Sequence, residues 1–172
     1  MSETILEPKI KGALVLDTLL EAASPSFMVL FSSIGNIAWG QKFGQVAYAA
    51  ANEFLDVYAF YRAARTGLFS VSINWSDWQE VGMAVTAASH WARTLRMEGD
   101  GQSLLKDALF PTEGVDAFRR ILDHRFNRVI VSPEDLTEKI QKSAAAFREV
   151  LEQKGKSNSG APIGDIQRTI TN

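Results

Sequence analysis

No cysteine occurs among the 172 residues, so a disulfide framework, a thiolate nucleophile and a cysteine-ligated zinc cluster are all excluded. Histidine is nearly as scarce. His90 and His124 are single, widely spaced and without companion ligands, which makes them surface or structural residues, and no metal is expected. No apolar run approaches the length that spans a bilayer, and the opening MSETILEPKIKG is charged and helix-forming, unlike a signal peptide. The expectation is therefore a cytoplasmic protein without a membrane partner. Lys/Arg-rich runs are missing and the net charge is −2, which argues against a nucleic-acid partner. A Gly-x-Gly-x-x-Gly turn is missing too. The nearest approach, Gly99-Asp100-Gly101, lacks the third glycine and follows no strand, so the phosphate-gripping half of a dinucleotide fold is not found in this sequence.

What is present suits one domain with a sizeable core: 46% apolar and 22% charged residues, with no repeat. Apolar residues at helical spacing run through 3–22, interrupted by Pro8 and Gly12, so a helix is expected from about Lys9. FMVLFSS (27–33) reads as a strand buried on both faces, residues 44–65 as an alanine-rich helix stopped by Gly67, and FSVSINW (69–75) as a second strand. A loop and a helix over roughly 83–97 follow, with Gly82 and a glycine-rich end suited to a mobile lid. A helix over 111–125, a third buried strand over 127–132 and an amphipathic helix from Pro133 to about Gln153 complete the folded part. This gives a domain over 1–153 and a polar linker or tail over 154–172.

Helix, strand, helix, strand with short connections favours crossover units on a parallel sheet. The expected fold is α/β, the C-terminal half of a Rossmann-like doubly wound parallel sheet without its glycine-rich nucleotide-binding half. Three strands make a small sheet, with one edge and much apolar helix surface left uncovered.

The stretch 27–56, FMVLFSSIGNIAWGQKFGQVAYAAANEFLD, organises the chain. Tyr48 and Asn52 stand four residues apart, about one helical turn, and so share a helix face, with Ser32 and Ser33 at the strand end nearby. A hydroxyl, a phenol and an amide can meet in one cleft. Taken alone these are ordinary residues, a helix tyrosine, a surface amide and two loop serines bonded to local backbone. The serines are not set in a Gly-x-Ser-x-Gly elbow, so a hydrolase triad is not expected.

The wider pattern resembles the ketoreductase domains of modular polyketide synthases, in the short-chain dehydrogenase/reductase superfamily. It runs from about Ile5 to Ile140 through PKIKGALVLDTLL, FMVLFSS, GQVAYAAANEFLD, INWSDW, VGMA, TEGVDAFRRIL and VIVSPEDL. The resemblance implies NADPH-dependent reduction of a β-ketoacyl group, held on an acyl carrier protein by a phosphopantetheine thioester, to the β-hydroxyacyl product. By the same resemblance Tyr48 donates the proton, Ser33 (or Ser32) hydrogen-bonds the substrate oxygen, and Lys9 and Asn52 complete the catalytic set. Tyr48, Lys9, Trp75 and Ser76 are the implied cofactor contacts. Most superfamily members carry the lysine one turn after the tyrosine, so asparagine at that position points to the polyketide branch.

Chemistry gives these residue types a reason of their own. A tyrosine hydroxyl titrates near ~10, and a nearby cation, for which Lys9 is the candidate, makes it an effective proton donor near neutrality. Oriented hydroxyls stabilise the alkoxide that forms as a carbonyl accepts hydride.

Three features differ from the family pattern: a longer loop between Ser33 and Tyr48, Ser76 in place of a glycine, and a start inside the second half of the domain. They sustain a rival expectation, a non-catalytic or truncated fragment that acts structurally or needs a separate N-terminal ketoreductase half. Trp39, Trp75, Trp78 and Trp91 read as core and lid packing, Trp39 lying near the tyrosine loop. RRILDHRFNR reads as a solvated basic face, with an acidic carrier protein as the other possibility.

Overall fold

A computed structural model describes residues 3–23, 25–38, 45–94 and 101–158. Five helices and three strands alternate as α1 (Glu3–Leu20), β1 (Phe27–Ser33), α2 (Val46–Thr66), β2 (Phe69–Trp75), α3 (Met83–Thr94), α4 (Pro111–Asp123), β3 (Arg128–Val131) and α5 (Leu136–Asn158). Both strand pairings are parallel, in the order β1-β2-β3, with Ser33 level with Trp75 and Trp75 level with Val131. This is the expected α/β arrangement, and the C-terminal ends of the strands, where open parallel sheets bind ligands, lie side by side.

β2 is the central strand and divides its two faces sharply. Val71, Ile73 and Trp75 enter an apolar core with Leu109, Ile121 and Phe118 from the α4 side. Ser70, Ser72 and Asn74 face α2 and are as deeply buried, because each is bonded to a charged side chain of that helix: Arg62 for Ser70, Asp56 for Ser72 and Asn74. A second core, made by Ala13, Met28, Leu30, Leu55, Tyr58 and Ala59, seals α1 and α2 to β1.

The two helices are also locked by charge. Buried Asp17 accepts from Tyr58 Oη (2.6 Å), Arg62 Nε (2.7 Å) and Arg65 Nη2 (2.6 Å), and Arg62 passes on to Ser70 Oγ (2.8 Å). Burial pushes the Asp17 carboxyl up, but these three donors outweigh it and hold the group below its ordinary value. Burial and the adjoining carboxylate push the Tyr58 hydroxyl up to about 12.

Four expectations need correction. α1 begins at Glu3 and runs through Pro8, since a proline near a helix start forfeits a single backbone bond. β1 is buried on one face only: Phe27 and Phe31 are 47% and 54% exposed, as the strand lies at an edge of the described sheet. β3, at the other edge, is half-buried throughout. α5 runs to Asn158, five residues into the expected tail, whose remainder lies outside the described residues.

α2 ends as expected at Gly67, which takes φ +68° and caps the helix through its N–H to Ala63. Of the lid segment, α3 packs on 102–108 through Ala88, Leu105 and Ala108. Its expected last turn, the tip of the glycine-rich end, Trp39 and the Trp91 side chain fall outside the described residues. No described helix is long and apolar enough to cross a membrane.

Candidate functional site

The C-terminal end of β1 and the first turns of α2 meet where α1 passes over them. Lys9, in the second turn of α1, donates from Nζ to the carbonyl of Phe31 (2.7 Å), and the same ammonium stands 5.8 Å from the centre of the Tyr48 ring. The fold therefore joins two residues that are far apart in the chain. Partial burial pulls the Lys9 pKa below its ordinary value, and the carboxylate of Asp56 acts in the opposite direction. Asn52 is fully buried one turn after Tyr48, to whose carbonyl its Nδ2 donates (2.8 Å), while its Oδ1 is a buried acceptor without a partner among the described residues.

The two serines separate by the alternation of the strand. Ser32 turns toward α2, where its Oγ donates to the Asn52 carbonyl (3.2 Å) and accepts from Asn36 Nδ2 (3.3 Å) and Asn74 Nδ2 (3.1 Å). Those bonds occupy it fully. Ser33 is partly exposed on the opposite side, where its Oγ accepts from the Gly35 N–H (3.1 Å) and caps the short 3-10 turn Ile34–Asn36.

Trp75 and Ser76 lie at the end of β2. The Trp75 ring packs between Phe31 (5.7 Å) and Trp78 (5.1 Å) on the α4 face, away from α2, and its Nε1 is buried without a partner among the described residues. Ser76 donates its N–H to Val131 (3.1 Å) and borders a polar cavity of about 280 Å³ with Asp77, Glu134 and Lys139. The structure thus gathers Lys9, Tyr48, Asn52 and the end of β1 on one side, with Trp75 and Ser76 across the sheet edge. His124 is taken up locally, bonded to the Arg120 carbonyl and stacked on Phe126.

A group that composition and spacing did not single out lies directly behind these residues. Asp56, 1% exposed, accepts from Ser72 Oγ (2.6 Å), Asn74 Nδ2 (2.8 Å), Asn36 Nδ2 (2.9 Å) and Arg128 Nη2 (3.0 Å). Arg128 Nε in turn donates to Asn74 Oδ1 (3.0 Å). The available signal was helical: Tyr48, Asn52 and Asp56 follow at i, i+4 and i+8 and line one face of α2.

Residues 1–80 match the family model described as the KR domain. Among curated proteins, the chain is 43% identical over 91 residues to the Cluster 41 polyketide synthase of Aspergillus flavus, covering 53% of this chain and 8% of that one. It is 36% identical over 123 residues to the polyketide synthase PksN of Bacillus subtilis, covering 64% and 2%. Two solved structures are similar. The first ketoreductase of the tylosin synthase gives a TM-score of 0.61 at 30% identity, over 84% of this chain and 30% of that one. A ketoreductase from the first module of phoslactomycin biosynthesis in a Streptomyces species gives 0.63 at 28% identity, over 84% and 31%. The chain therefore spans less than a tenth of these curated relatives and about a third of the solved ketoreductase chains.

Proposed function

This chain belongs to the ketoreductase family of polyketide synthases, and on that premise we propose that it carries the proton-donating side of an NADPH-dependent β-ketoacyl reductase site. Tyr48 donates its hydroxyl proton to the carbonyl oxygen of a β-ketoacyl thioester carried on the phosphopantetheine arm of an acyl carrier protein. The Ser33 hydroxyl donates a hydrogen bond to the same oxygen, since Ser32 is already occupied. As negative charge builds on that oxygen, both donors stabilise it where it appears. Lys9 supports the tyrosinate left behind, and Asn52 fixes the turn of α2 that carries Tyr48.

The observation that carries this reading is the position of the Lys9 ammonium over the Tyr48 ring. It sets a cation from one helix beside a phenol from another, and a nearby cation favours the tyrosinate.

The residues present fit one end of the cofactor. Lys9, with donor capacity beyond its Phe31 bond, and Tyr48 offer polar groups to a nicotinamide and its ribose, whereas Trp75 is turned to the α4 face. When bound, NADPH supplies the hydride. For the pyrophosphate end the sequence offers no glycine-rich turn to match.

A second reading, a half-domain that is inactive without an N-terminal ketoreductase half, is favoured by one feature of the surface. Along α1, Leu14, Val15, Leu16 and Leu19 are 43–71% exposed, and β1, an edge of the described sheet, exposes Phe27. A parallel βα segment would cover both.

Mixing the chain with the N-terminal half of a related ketoreductase, and following NADPH oxidation with a β-ketoacyl thioester, separates the two readings. Turnover by the mixture alone supports a completed site, and turnover by the chain alone removes the need for the second half. Inactivity of both, with the complex formed, contradicts the reductase reading.

A further inference from the structure

Asp56 takes part in neither proton nor hydride transfer as described above, yet it is among the most deeply buried charged groups in the protein. Burying a carboxylate costs several kcal/mol unless each oxygen is bonded and the charge compensated. Here four donors meet it from three elements: Asn36 after β1, Ser72 and Asn74 on β2, and Arg128 on β3. Resting on the proposed reductase reading, we propose that Asp56 is a positioning residue for that site, holding the end of β1 at Ser33 in place through Asn74 and Asn36.

The amides do the transmitting. Asn74 Nδ2, held by Asp56, also donates to Ser32 Oγ and to the carbonyl of Ser33 (3.1 Å each). Asn36 Nδ2, held by the same carboxylate oxygen, donates to Ser32 Oγ and ends the 3-10 turn that Ser33 caps. The end of β1 is thus held at Ser32 Oγ by both amides and at the Ser33 carbonyl by Asn74, and the two amides share one acceptor. Without the carboxylate, each amide loses the acceptor that anchors it and the backbone at Ser33 is held less firmly.

The test is the amide exchange of Gly35, whose N–H is bonded to Ser33 Oγ, followed by NMR on the chain. Asp56→Asn is expected to accelerate it several-fold beyond the exchange of α2, and Asp56→Glu, which keeps the carboxylate, to accelerate it less. Gly35 exchange that is unchanged, or accelerated no more than that of α2, in whichever of these variants folds overturns the proposal. The readout does not need turnover. An active Tyr48→Phe variant of a completed domain would sink the reductase reading whatever Gly35 does, whereas an unmoved Gly35 with an inactive Tyr48→Phe removes the positioning role alone.

Discussion

The ammonium of Lys9 stands 5.8 Å from the ring centre of Tyr48 and is held there by the carbonyl of Phe31, 2.7 Å away. One helix supplies the cation, another the phenol, and the end of a strand fixes the distance between them. Replacing Lys9 with methionine keeps most of the stem and removes the charge. In a completed domain, Lys9→Met is expected to lower kcat by about 10²-fold or more, the scale of a general-acid contribution, with a smaller effect on KM. Steady-state kinetics check this, and an unchanged kcat removes Lys9 from the proton-donating group.

The Asp17 cluster is a stability element apart from the site. Breaking a buried pair leaves an uncompensated charge, so Asp17→Asn is expected to cost about 3–5 kcal/mol in urea unfolding. The pH dependence follows from the lowered carboxyl. Its stabilisation is complete above the unfolded value and is lost as the pH falls below about 4 toward the depressed folded value. Asp17→Asn should therefore flatten the acid limb of the stability profile, and an unaltered limb would show that other groups dominate it.

Tyr58 has the opposite sign. Its hydroxyl is raised to about 12, so it stabilises the fold fully below its ordinary value near 10 and loses that contribution as the pH rises toward 12. A spectrophotometric titration of the tyrosines should show one late component, absent in Tyr58→Phe. A wild-type protein without that component would contradict the buried bond to Asp17.

Two glycines should respond in opposite directions to alanine. At Gly114, on α4, a Cβ would come within 2.2 Å of the Trp78 ring, so Gly114→Ala is expected to destabilise by about 1–3 kcal/mol and to alter the near-ultraviolet signal of the tryptophans. At Gly12, in α1, a Cβ meets nothing within 4 Å, and alanine should stabilise by about 0.5–1 kcal/mol through helix propensity. Equal effects at the two sites would argue against the close packing of Trp78 on α4.

Much of the fold around the candidate site was legible because its signals are local. The strand ending in Ser32-Ser33, the i, i+4 spacing of Tyr48 and Asn52, and the stop at Gly67 each depend on a few consecutive residues, and β1, α2 and β2 fall where they were expected. What the sequence did not disclose depends on partners far along the chain. Ser70, Ser72 and Asn74 give β2 the alternation of a half-solvated strand, and only Arg62 and Asp56 on α2 explain why their face is buried. Phe27 and Phe31 gave the opposite error, since apolar character in β1 suggested burial on both faces where the described sheet ends. The choice between the two serines likewise needed the strand's alternation set against α2, which sends Ser32 into the polar network and Ser33 out of it.

The central claim is that this chain holds the acid side of a ketoreductase site, and Tyr48→Phe in a completed domain tests it most directly. With NADPH and a β-ketoacyl thioester, the account predicts a fall in kcat of about 10²–10⁴-fold for that variant, with thioester binding little changed. Turnover by Tyr48→Phe equal to that of the unaltered domain would contradict it.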